Sequence, residues 1–164
     1  MKTLYKIFDN LYFGILLLLA VTAFIFSHSL ASAENSSNES GKVVDIVTEI
    51  MDSANIEVNE NTIVKTVRKT AHFSEFFALG AVCYYLRYII TKHSSTGFSL
   101  CLIYGILTSL IDESLQYNSA GRSPEVLDVW IDIAGFSFSL LILMFVFSII
   151  SKKMFKAREV RQES

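Results

Sequence analysis

Four stretches of this chain are long and apolar enough to span a membrane, and they limit what it can fold into. The first runs from about Leu11 to Leu30 and the second from about Ala71 to Thr91. The third runs from Gly97 to Tyr117 and the fourth from about Asp128 to Ile150. About 20 helical residues cross a hydrocarbon core of about 30 Å. Backbone amides cannot stay unpaired in lipid, so each span is expected to be helical. The alternation of a membrane β-barrel is absent. Short connections, about residues 92–96 and 118–127, favour antiparallel neighbours. The expected fold is therefore all-α, an integral membrane antiparallel bundle of four transmembrane helices.

Composition agrees with this reading. Apolar residues make up 52% of the chain and mean hydropathy is +0.44. Charged residues reach only 18%, below the roughly 25% of soluble domains. With 14 basic and 16 acidic residues the net charge is −2, which argues against nucleic-acid binding. Two cysteines, Cys83 and Cys101, are too few for a disulfide scaffold. Both fall in apolar spans and read as small packing residues. No internal repeat is visible.

The first span has two readings. Lys2 and Lys6 precede it, and Ala31-Ser32-Ala33 resembles a signal-peptidase site. Its apolar run is long for a signal core of about 7–15 residues, which favours an uncleaved anchor. Orientation follows from Lys and Arg placement. With the N-terminus inside, nine basic residues lie inside (Lys152, Lys153 and Lys156 after the last span among them) and five outside. Both termini are expected in the cytoplasm, and the protein in the cell membrane as a multi-pass chain.

Four parts follow. Residues 1–30 form the first transmembrane helix or uncleaved signal anchor. Residues 31–64 form an extracytoplasmic polar segment, 65–150 a three-helix core, and 151–164 a basic cytoplasmic tail. Within the outer segment, residues 35–41 read as loop. Val43, Ile46, Val47, Ile50, Met51 and Ala54 then recur at helical spacing, an amphipathic helix on the membrane or over the bundle. Asn61 is the expected cap of the second membrane helix. Ser123-Pro124 reads as the start of the fourth.

The polar residues of the spans concentrate at one end. In this topology Lys65, Arg68, Lys69, His72 and Glu75 lie at the outer end of the second span. Asp112, Glu113 and Gln116 lie at the outer end of the third, and Arg122, Asp128 and Asp132 near that of the fourth. Arg68, His72, Glu75 and Leu79 share one helix face; so do Ser109, Asp112 and Gln116, and also Asp128, Asp132 and Gly135. Ionisable groups at membrane depth cost several kcal/mol unless paired or hydrated. Three polar faces on adjacent helices are most cheaply satisfied by meeting in a pocket that opens outward. The plain alternative is a salt-bridge network fixing helix register. Well-packed apolar residues often serve stability as well as a buried ionic network, which weighs against it.

The motifs resemble those of a known family. Arg68-Lys69-Thr70-Ala71-His72-Phe73-Ser74-Glu75-Phe76 resembles the R-K-x-x-H-F-x-E-[YF] signature of VanZ-like membrane proteins. Asp112-Glu113-Ser114-Leu115-Gln116 matches their D-E-x-x-Q. Gly121-Arg122, Asp128-Val129 and Gly135 match their G-R-x(5)-D-V-x(2)-[ND]-x(2)-G. The blocks cover about residues 65–140. Ser139 stands where the family often has glycine, which leaves close helix contact there open. The resemblance implies a cell-envelope protein linked to reduced glycopeptide susceptibility, teicoplanin in particular, with the antibiotic an indirect partner. It implies no established reaction, and a housekeeping envelope role is equally compatible with it.

Two mechanisms compete. In the first, Arg68, Lys69, Gln116, Arg122, Asp128 and Asp132, with Lys65 beside them, form a binding site for an anionic membrane lipid or lipid-linked cell-wall precursor. Arginine suits phosphate because its planar fork donates two hydrogen bonds. In the second, His72, Glu75, Asp112 and Glu113 are the acid–base groups of an intramembrane enzyme. No nucleophile elbow is present. A metal reading of His72, Glu75, Asp112 and Glu113 has one histidine and no paired cysteine, so no metal or other cofactor is expected. Ion conduction lacks a second set of charges in the apolar inner halves. His28 is expected at the interface, where Ser27-His28-Ser29 can border the pocket, and His93 in a solvated inner loop. Trp130 and Tyr117 fit an aromatic belt. The sequence leaves oligomeric state open.

Overall fold

The structure, a computed structural model, describes residues 11–91 and 95–163. Among them are five helices and no strand: α1 (Leu11–Leu30), α2 (Ala33–Ser53), α3 (Glu60–Thr91), α4 (Ser95–Gln116) and α5 (Val126–Glu163). Four contain stretches long and apolar enough to cross a membrane: Leu11–Leu30, Glu60–Ile90, Thr96–Gln116 and Val126–Lys153. The expected inner-loop residues Lys92 and His93, and the N-terminal Lys2 and Lys6, lie outside the described residues.

Local sequence accounts for the ends of these helices and corrects three expectations. Residues 35–41 are helical, not loop. Ser32 caps α2, its side chain accepting from the N–H of Asn35, and Asn55 closes it with φ 53°, a left-handed residue of the kind that ends helices. The cap of α3 is Asn59 rather than Asn61: its side chain accepts from the Asn61 N–H at 2.9 Å. Helix α5 starts at Val126, so Ser123-Pro124 belongs to the connection. There the Glu113 carboxylate accepts from the N–H of Glu125, doing from α4 what a local cap would do.

Helix α3 is the hub. It packs against α1, α2, α4 and most extensively α5, while α4 also touches α1 and α5. Ile25, Phe76, Leu79, Tyr84, Phe136 and Leu140 form the core. Apolar helices suited to a membrane associate through close packing at small residues. A Cβ on Gly135 would strike the Phe73 backbone, and one on Gly80 would lie 2.6 Å from the Phe136 carbonyl oxygen and 2.9 Å from the Ser139 Cβ. Ser139 thus does sit at a close helix contact, with the missing side chain supplied by α3. Gly105 similarly makes room for the Phe136 ring.

Gly135→Ala should therefore destabilise the fold by about 1–3 kcal/mol, the usual range for overpacking. Gly41, with nothing within 4 Å of an added Cβ, should tolerate alanine and gain about 0.5–1 kcal/mol from reduced backbone freedom. Thermal unfolding in detergent checks both.

Candidate functional site

Three aspartates on α4 and α5 are almost wholly buried, Asp112 at 0%, Asp128 at 1% and Asp132 at 0% exposure. Each obtains different partners. Asp128 accepts from Arg68 at 2.8 Å and from Lys69 at 2.7 Å, so one carboxylate holds two cations of α3. Lys69 also reaches the exposed Glu125 at 3.2 Å. Asp132 accepts the Ser109 hydroxyl at 3.0 Å and lies 3.3 Å from Nδ1 of His72. Asp112 accepts from the hydroxyl of Ser29 on α1 and from Gln116 at 3.1 Å. It also lies 3.8 Å from the same His72 nitrogen. His72 is therefore the meeting point of α3, α4 and α5, with two buried carboxylates on one ring edge.

The expected acid–base set does not form one cluster. His72 and Asp112 are together, and Asp132 occupies the third place. Glu75 pairs instead with Nδ1 of His28 at 2.8 Å, and Glu113 is engaged by the Glu125 backbone. A nitrogen and two carboxylate oxygens of His72, Asp112 and Asp132 lie within 4.8 Å of one another. That donor set suits a divalent cation such as zinc, with open positions for other ligands.

Above this layer is a cleft of about 70 Å³ lined by residues of α1, α2, α3 and the connection between α4 and α5. Of the expected ligand-binding residues, Arg68 and Arg122 line it, with His72 and Glu75 also in its wall. Gln116, Asp128 and Asp132 are buried beneath and bonded within the protein; Lys69 is engaged with Asp128; Lys65 is exposed and stands apart. Arg122 is positioned by a tethered turn. Ser119 donates to the Ser29 carbonyl at 2.7 Å, Arg122 N–H donates to the Ser119 carbonyl at 3.2 Å, and Gly121 between them takes φ 76°. Among the described residues no carboxylate lies within ion-pair distance of Arg122. Burial, and next the nearby Arg68 guanidinium, hold its pKa below the ordinary arginine value, although the group stays charged.

Sequence reading placed Ser27-His28-Ser29 at the pocket border without naming their partners, and it missed the contribution of α2. Ser29 donates to Asp112, and Ser36 and Ser40 line the cleft. The i, i+4 spacing of Ser36 and Ser40 becomes a signal only once residues 35–41 are known to be helical. Arg87, one of the nine basic residues assigned to the inner side, is buried with its guanidinium 5.7 Å from the Tyr84 ring and 5.8 Å from that of Phe98.

Asp128→Asn should lower thermal stability by about 2–3 kcal/mol, because it leaves Arg68 and Lys69 facing one another without their shared anion. Glu125→Gln, which breaks only an exposed pair, should change stability by less than about 1 kcal/mol. Unfolding of the two variants side by side measures the difference.

The sequence model of the VanZ/LLP1 family matches residues 13–149. No curated protein and no solved structure matches. The match takes in all three motif blocks, the buried aspartates, His72 and both arginines of the cleft. With most of its length matched and four helices suited to a membrane, the chain belongs to the VanZ/LLP1 family.

Proposed function

We propose that this protein binds an anionic lipid, or a lipid-linked cell-wall precursor, between Arg68 and Arg122, and that this binding underlies reduced susceptibility to teicoplanin-type glycopeptides. The reading places the chain in the cell membrane with both termini cytoplasmic, its four spans antiparallel and the cleft facing outward. Nine basic residues on the inner side against five outside favour that orientation. The pairing of Ser29, near the end of α1, with Asp112, near the end of α4, fits the up-down order. The observation that carries the binding role is Arg122, a cleft cation with no described carboxylate at ion-pair distance, beside Arg68, whose described pairing uses one nitrogen. A guanidinium carries five N–H donors, so both arginines retain donors for a phosphate.

A second reading is favoured by the layer beneath. His72, flanked by Asp112 and Asp132, is the arrangement an acid–base or metal-dependent enzyme acting on a lipid-linked substrate would use. In it His72 moves a proton at the cleft floor, while Asp112 and Asp132 orient the ring and balance its charge. A bound divalent cation would supply Lewis-acid polarisation of a phosphoryl oxygen.

In nanodiscs, Arg122→Ala should weaken retention of phosphatidic acid about tenfold, the effect of about 1.4 kcal/mol, and high salt should weaken wild-type binding as well. Equal retention by wild type and Arg122→Ala overturns the binding role. A deletion strain complemented with wild type should regain its teicoplanin tolerance, whereas the Arg122→Ala strain should not. If His72→Gln and Asp132→Asn abolish tolerance while leaving lipid retention intact, the enzymatic reading gains over simple binding. Thiol labelling of single cysteines at Ser123 and Lys152 checks the topology: the first is expected to react from outside the cell and the second only after permeabilisation.

A further inference from the structure

The cationic cleft adjoins a second, larger cavity. His28, Ser36, Ser40, Val67, Ala71 and Glu75 line both. The larger cavity measures about 540 Å³, inside the range of about 300–1,000 Å³ common to small-molecule sites. It lies between α2 and the first half of α3, with Val43, Val47 and Met51 on one wall and Ile63, Val67 and Val58 of the preceding connection on the other. Hydroxyl residues on the α3 wall do not make it polar. Thr66, Thr70 and Ser74 donate to the carbonyls four residues back at 2.8, 2.8 and 2.7 Å. Their donors are consumed by the helix, and the aliphatic side chains of the two walls supply most of the lining surface.

Resting on the anionic-lipid reading above, we propose that the ligand is a single amphiphile whose anionic head lies between Arg68 and Arg122 and whose acyl chain lies in the groove between α2 and α3. The two guanidiniums and the aliphatic side chains thus line neighbouring spaces that share a wall. A free phosphate would use only the charged end, and a neutral apolar molecule only the other. An acylated anion uses both. Burial of its chain would add the hydrophobic contribution that a surface contact with a headgroup lacks.

The test is photo-crosslinking of the full chain in phosphatidylcholine nanodiscs. The probe is phosphatidic acid with a diazirine part-way along one acyl chain, and cross-linked residues are identified by mass spectrometry. Labelling is expected on Val47, Met51 and Ile63. It should fall about fivefold in Val47→Trp and in Thr66→Trp, which fill the groove from opposite walls, while retention of unlabelled phosphatidic acid stays dependent on Arg122. The same diazirine on phosphatidylcholine should label these residues weakly, and excess inorganic phosphate should not displace the anionic probe. Arg122-dependent retention with labelling confined to lipid-facing residues such as Leu141 and Phe145 overturns the groove and leaves the headgroup reading standing. So does equal groove labelling by the zwitterionic probe, or displacement by inorganic phosphate. Retention independent of Arg122 overturns the headgroup reading and the amphiphile with it.

Discussion

Asp112, Asp128 and Asp132 have almost no contact with solvent, and a carboxylate in that position must be met by donors or cations from elsewhere in the chain. The partners come from three helices: Ser29 of α1, Arg68, Lys69 and His72 of α3, and Ser109 and Gln116 of α4. The network fixes how far each helix is rotated. Turning α3 by one residue would carry Arg68 and His72 off the acidic faces together. The glycine crossings at Gly80, Gly105 and Gly135 set the separation at which those partners can touch. Apolar packing alone is tolerant of such slips; the carboxylates are not.

The pairing is also uneven, and the imbalance is spatial. Beneath the cleft, two buried carboxylates share one histidine. At its wall, Arg122 is left without a described carboxylate at ion-pair distance. The buried aspartates are thus concentrated where the interior is tightest, and the two arginines at the cleft wall. Asp128 behind the cleft holds Arg68 in place, while the turn tethered through Ser119 holds Arg122. Glu75 in the same wall is held toward His28, which keeps its charge partly engaged with another residue.

Much of this was legible in the residues. Runs of about 20 apolar residues marked the spans. The i, i+4 spacing of Arg68 with His72, Asp112 with Gln116 and Asp128 with Asp132 marked the polar faces, since a helical repeat determines which side chains are neighbours. Periodicity does not say which face meets which. Glu75 and Glu113 share faces or turns with His72 and Asp112, yet their partners lie on α1 and in the connection before α5. Helix α2 was only half legible because residues 35–41 have no apolar repeat. Its start is set by the Ser32 cap and its placement by contacts with α3. The groove exists only through that placement, so nothing in a linear reading could describe it. The caps at Asn59 and Glu125 each differ by about two residues from expectation, the usual margin where neighbouring residues can cap equally well.

Helix α1 is joined to the rest by more than apolar contact. Its Ser29 supplies a hydroxyl to Asp112, and its backbone carbonyl at the same residue receives the hydroxyl of Ser119, which anchors the turn that carries Arg122. A protease cutting at the small residues around Ala33 would extract a member of the buried network rather than detach an address label. The aspartate would lose its donor, and the arginine turn its mooring, in a single event.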